Sequence, residues 1–276
     1  MGVLLGGLSS AFYGVADFLG GEGAKRVSSP TVVLWAGLLS FPLIVATALI
    51  VGGEPTSRDL WLGALGGSFG TFGLVTLFAG LGRGHAAAVA PASAITGGLF
   101  PVAVALLLGE TLSVTTWIGL ILAVPAIVLC SWVADRGDVP LGGVWYGLGA
   151  GIGFGAYTVV LDFVSDDAGL FPLIPSRGTT ILVICLLSVL GVWRVTGFPS
   201  IPRGIVAANG LLDYSGNVTL LLALQAGALA PVGVAASFYP AVTVLMARLV
   251  NREHLRVRQV TGLVLTLVAL AAIALG

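Results

Sequence analysis

Three residues within one apolar stretch have the types and spacing to do chemistry. In IVAANGLLDYSGNVTLLLALQAG, Asn209, Asp213 and Asn217 recur every fourth residue, which puts them on one face of a helix. At a rise of ~1.5 Å per residue they make a polar stripe about 12 Å long. A carboxylate held between two amides can load and release a proton, pair with an amine, or clamp a neighbouring helix by hydrogen bonds. In the first apolar run, Asp17 shares a face with Ser9 and Tyr13 and lies closer to the run's end, so a solvated boundary position is the competing reading. Arg177 is the basic residue well inside an apolar run. It serves either as the salt partner of Asp213 or Asp162 or as a ligand for a substrate carboxylate, and pairing is favoured because an unpaired buried guanidinium is the costliest outcome. Tyr157, Tyr214, Tyr239, Phe238 and Trp35 add aromatic surface that could line a cavity for apolar or aromatic solutes, or simply pack.

The surroundings of these residues are those of a membrane protein. Of 276 residues, 57% are hydrophobic and 9% charged, with mean hydropathy +1.08, whereas a soluble domain carries about 25% charged residues. Zero formal net charge argues against nucleic acid or a strongly charged partner. Ionisable groups at membrane depth cost at least ~2.5–3.5 kcal/mol, so they face protein or water rather than lipid. Apolar runs long enough to span fall at approximately 2–20, 30–51, 60–80, 86–108, 114–132, 142–162, 170–192, 204–226, 229–249 and 256–275. Short breaks with turn residues, such as GGEPTSRD and TGFPSIPR, separate them. The first run has no basic residue ahead of it and contains Asp17, so it reads as a retained membrane helix rather than a signal peptide.

The chain repeats itself. GLVTLFAGLGRG (73–84) returns as GNVTLLLALQAG (216–227), and GETLSVTTWIGL (109–120) returns as REHLRVRQVTGL (252–263), each 143 positions later, with six and five identities in twelve. That offset spans five helices, an odd number, so the second copy is inverted relative to the first. The expected fold class is all-α integral membrane: ten transmembrane helices as two inverted five-helix repeats, residues 1–135 and 141–276. Small residues at helical spacing, as in Gly2, Gly6, Ser10 and Gly14 or Gly147, Gly151 and Gly155, let helix backbones approach closely.

Two five-helix halves, each with a Glu-x-Leu turn before its last helix, resemble the drug/metabolite transporter superfamily, EamA type. GETLSVTTWIGL and REHLRVRQVTGL carry the resemblance, along with the segments from Pro91 to Pro101 and from Pro231 to Pro240. Two positions depart from it: Gly97 stands where the second half has Pro240, and Trp35 where the second half has Arg177. The resemblance implies a carrier with a central cavity between the halves, working by alternating access, with export of small metabolites common in the family.

The expected function is therefore a secondary transporter, an exporter of a small organic metabolite or drug-like solute, with proton coupling through Asp213 or Asp17. Its expected location is the plasma or inner membrane, multi-pass. The substrate-binding candidates are Asp213, Asn209, Asn217, Tyr214, Asp17, Tyr13, Tyr157, Tyr239, Arg177 and Trp35. The expected partners are a small-molecule solute and the lipid bilayer, without nucleic acid, cofactor or metal. The alternatives are a membrane enzyme, which needs clustered His, Asp or Cys near the interface, and a structural subunit, which does not need intramembrane polar stripes. His85 and His254 fall in turns without metal-ligand spacing, and Cys130 and Cys185 read as small core residues. Glu110 and Glu253 read as charges that offset the dipoles of the helices following them. Ten of the twelve Lys and Arg residues lie on one set of alternating loops. The positive-inside rule puts those loops in the cytoplasm and both termini outside, whereas the resemblance implies both termini inside.

Overall fold

A computed structural model describes residues 1–83, 86–131, 141–251 and 257–275. They form α-helices without strands: α1 Gly2–Ala24, α2 Ser29–Val51, α3 Ser57–Gly82, α4 Ala86–Leu107, α5 Val114–Ser131, α6 Leu141–Asp162, α7 Leu173–Val189, α8 Arg203–Gln225, α9 Leu229–Ala236, α10 Tyr239–Asn251 and α11 Val257–Ala274. Gly2–Ala24, Ser29–Val51, Ser57–Gly82 and Gly142–Asp162 are long and apolar enough to cross a membrane by length and composition, and shorter apolar helices accompany them. The molecule turns Leu4, Ile50, Trp61, Ile121, Leu182 and Leu267 outward, among many other large apolar side chains. That surface suits lipid and not water.

The expected ninth span, 229–249, is two helices. The chain turns at Ser237–Phe238 between α9 and α10, and Pro240 sits in the first turn of α10. Proline there has no N–H for the Ala236 carbonyl, and its ring crowds that carbonyl, so the helix restarts. The repeat counterpart of Pro240 is Gly97, and α4 runs through it unbroken.

Glycine faces bring the helices together. A Cβ at Gly63 or Gly67 of α3 would lie 2.1 Å from the Pro172 or Ser176 carbonyl oxygen beside or within α7. In α6, a Cβ at Gly147 or Gly151 would lie 2.6 and 2.5 Å from the Val89 and Ser93 carbonyl oxygens of α4, and one at Gly153 would lie 2.8 Å from Gly73 of α3. Contact at that distance admits no larger residue, and it is how apolar helices gain dispersion energy in lipid.

Polar clasps fix the loops. Thr56 and Asp59 form a reciprocal capping box at the start of α3, and Asp59 also accepts from the Ser165 backbone N–H (2.9 Å) and hydroxyl (3.0 Å) beyond α6. Glu110 does not serve the helix that follows it. Its carboxylate accepts from the Leu229 (3.0 Å) and Ala230 (3.3 Å) backbone N–H groups, capping α9, where unsatisfied donors and the positive dipole end attract an anion. Cys185 is exposed rather than a core residue, because α7 turns that face outward. His85, His254 and Glu253, and the side chain of Cys130, lie outside the described residues.

The packing makes a prediction. Gly67→Ala, placing a methyl group against immovable backbone, should lower stability by about 1–3 kcal/mol. Gly178→Ala, where nothing lies within 4 Å of the new Cβ, should be neutral or stabilise by up to ~1 kcal/mol. Thermal unfolding of the purified variants checks the contrast.

Candidate functional site

The middle of the helix bundle holds a cavity. Its polar lining comes from Tyr13 and Asp17 of α1, Tyr157 of α6, Ser176, Arg177 and Thr180 of α7, and Asp213 and Asn217 of α8. Phe154, Ser237 and Tyr239 continue the wall at the helix break, and Gly70 and Gly97 leave it open by having no side chains.

Arg177 donates to the carboxylate of Asp213, both side chains being buried. Asn217 lies one turn along the same face of α8, and its amide N–H₂ reaches back to the Asp213 carboxylate at 3.2 Å and to the Asp213 carbonyl at 2.6 Å. Its amide oxygen in turn accepts from the Tyr157 hydroxyl at 2.5 Å. One chain of hydrogen bonds thus ties α7, α8 and α6. A charge-assisted bond of this kind survives desolvation because each partner replaces the other's water. Asp213, not Asp162, is the partner of Arg177.

Asp17 is different. It is 95% buried, being 5% exposed, it lines the same cavity, and no hydrogen bond or ion pair to it exists among the described residues. Three residues earlier on its helix, Gly14 packs on the break: a Cβ there would lie 2.5 Å from the Tyr239 carbonyl oxygen, and the Gly14 carbonyl accepts from the Thr243 hydroxyl at 2.9 Å. Tyr239 spends its hydroxyl on Ser93 at 2.5 Å, and its ring stands edge-on to Phe154 with centroids 6.2 Å apart.

Three of the expected site residues lie elsewhere. Asn209 shares the stripe but not the cavity; it is 2% exposed and donates to the Ala16 carbonyl of α1 at 2.7 Å. Ser9, expected beside it, donates to the Gly216 carbonyl at 2.9 Å. Both use the second lone pair of a helical carbonyl to staple α1 to α8. Trp35 points to the end of the bundle, where its indole N–H donates to the Thr196 carbonyl at 2.9 Å and its ring packs on Phe198. A buried indole N–H requires such a partner. Tyr214 follows Asp213 directly, so its side chain projects about 100° around the helix from it; it packs against the apolar core instead. Phe238 is also core.

Sequence reasoning passed over Ser176, Thr180, Phe154 and Ser237. The first two had a signal: they flank Arg177 at one residue before and three after, on a helix with few other polar groups. No group of His, Cys, Asp and Glu among the described residues could hold a metal ion.

The fold and the cavity together define a multi-pass helical membrane protein with a polar chamber inside it. Residues 1–132, a little under half of the chain, match the model of the EamA-like transporter family. No curated protein matches the chain. A solved structure described only as "Crystal structure of protein" superposes on it with a TM-score of 0.73 at 16% identity, covering 99% of this chain and 96% of that one. That likeness supports the fold and nothing finer.

The clamp makes its own prediction. Asp213→Asn leaves a guanidinium buried without a counter-charge and should cost roughly 3–5 kcal/mol of stability. The double variant Asp213→Asn/Arg177→Gln should be less destabilised than the sum of its single changes, because the orphaned charge is gone. Unfolding midpoints of the four proteins in one detergent measure the coupling.

Proposed function

We propose that the protein is a secondary transporter that exports a small organic metabolite or drug-like solute across the plasma or inner membrane by alternating access. The observation that carries this reading is the chamber itself: ionised and hydroxyl groups from four helices converge inside a protein whose outer face is apolar. A structural subunit has no need of such a chamber.

We further propose that residues 1–135 and 141–276 are two inverted halves of ten membrane spans, α9 and α10 together forming the ninth. Helix pairing supports this. Exchanging the halves carries the α1–α8 contact onto α6–α3, the α2–α8 contact onto α7–α3, and the α4–α6 contact onto that of α1 with α9 and α10. Such a two-fold arrangement gives a carrier two mirrored ways to open. The solute would sit among Tyr13, Asp17, Tyr157, Arg177, Asp213, Asn217 and Tyr239. Proton coupling, expected at Asp213 or Asp17, falls to Asp17, since Asp213 already has a counter-ion.

Water access tests the reading. In a protein with Cys130 and Cys185 replaced by Ala, Ser237→Cys and Thr158→Cys should react with a membrane-impermeant thiol reagent. Leu211→Cys and Leu186→Cys, on outward faces, should not. Protection of all four sites would mark the chamber as sealed and the polar groups as a clamp only.

A further inference from the structure

We infer that Asp17 binds the ammonium group of an organic amine carrying an aromatic or apolar body, so that the transported solute is a cation. This deepens the transport reading and rests on it.

Among the described residues that line the chamber, the ionisable acids and bases are Asp17, Asp213 and Arg177. Arg177 and Asp213 neutralise one another, and Asn217 occupies the same Asp213 oxygen. Asp17 is left without a counter-charge and without a donor among the described residues, although it is 5% exposed and lines the chamber. A carboxyl group in a low-dielectric site is completed either by a proton or by a cation that pairs with it, so an arriving ammonium can take the proton's place. An anionic solute finds no counter-charge in the chamber, since the guanidinium is already taken.

The form of the cation follows from the walls. A metal ion takes several oxygen ligands at short range, and with Asp213 held by Arg177 and no group of three His, Cys, Asp or Glu among the described residues, Asp17 alone does not supply them. The Tyr157 hydroxyl spends its proton on Asn217 and the Tyr239 hydroxyl pairs with Ser93, so towards a cation these residues offer ring faces and the acceptor lone pairs of a hydroxyl oxygen. Phe154 stands against Tyr239 in the same wall. Aromatic faces next to a carboxylate suit an ammonium through cation–π attraction, and suit its apolar body through burial. The bare Cα atoms of Gly70 and Gly97 give that body space.

Three compounds of one shape and different charge test this: phenethylamine, 2-phenylethanol and 3-phenylpropionate. Purified protein in detergent should be thermally stabilised by phenethylamine and not by the other two. Asp17→Asn should weaken the phenethylamine response by about ten- to hundredfold, the loss of one charge-assisted bond, and Asp17→Glu should retain the preference for the amine. Equal or greater stabilisation by the alcohol or the acid, no response to any of the three, or an undiminished amine response in Asp17→Asn each overturns the assignment. A shift with pH alone that Asp17→Asn abolishes, without preference among the compounds, assigns the carboxylate to a proton only and overturns it too. The two readings fail differently. A chamber in which Ser237→Cys is labelled but the amine does not bind sinks the cation alone, whereas an unlabelled chamber sinks transport and the cation together.

Discussion

A guanidinium in apolar surroundings must have its counter-charge beside it, and the Arg177–Asp213 pair is the constraint on which the rest of the chamber depends. Two ions removed from water lose more in hydration than their attraction returns unless further hydrogen bonds complete them. Asn217 and Tyr157 supply that completion from one turn away and from the facing helix. Three helices are thereby fixed at the depth where the chamber opens. The same pairing withdraws both charges from recognition, which leaves Asp17 as the acidic lining group without a partner among the described residues.

Small residues make this arrangement geometrically possible. Gly67 lets α3 lie directly on the backbone at Ser176, next to Arg177, and Gly216 leaves room for the Tyr13 ring, to which a Cβ would come within 2.6 Å. Staples from Ser9 and Asn209 then hold α1 in register on α8. The position of Asp17 is therefore set by the hydrogen bonds of Ser9 and Asn209 along the contact of α1 with α8, and by none of its own among the described residues.

Much of this was legible in the sequence, and the residues that were not share a cause. Composition and the regular run of apolar segments declared a helical membrane protein, and the glycine spacing declared close helix contacts. The four-residue stripe placed Asp213 and Asn217 on the face that meets the chamber. It failed at Asn209, because a period fixes a direction around one helix and says nothing of which neighbour stands there; α1 presents a carbonyl at that level. Trp35 and Glu110 failed similarly. Each found a partner far along the chain, Thr196 and the start of α9, that no local spacing can announce. The contrast of Gly97 with Pro240, 143 positions apart, was visible from the start, and its meaning is now physical: α4 runs through its glycine, and the chain breaks between α9 and α10 at its proline.

The buried pair also bears on how the chain enters the bilayer. Arg177 and Asp213 are 36 residues apart, on consecutive long helices, and synthesis delivers the cation first. Until α8 emerges, α7 carries an uncompensated guanidinium whose insertion costs ~2.5–3.5 kcal/mol, a large penalty for a helix of 17 residues. The economical route is for α7 to wait at the insertion machinery and partition together with α8 as a helical hairpin, the ion pair forming before either helix meets lipid. Biogenesis of this half is then ordered by electrostatics, and the loop from 190 to 202 must be long enough, and slow enough to leave, for the two charges to find each other.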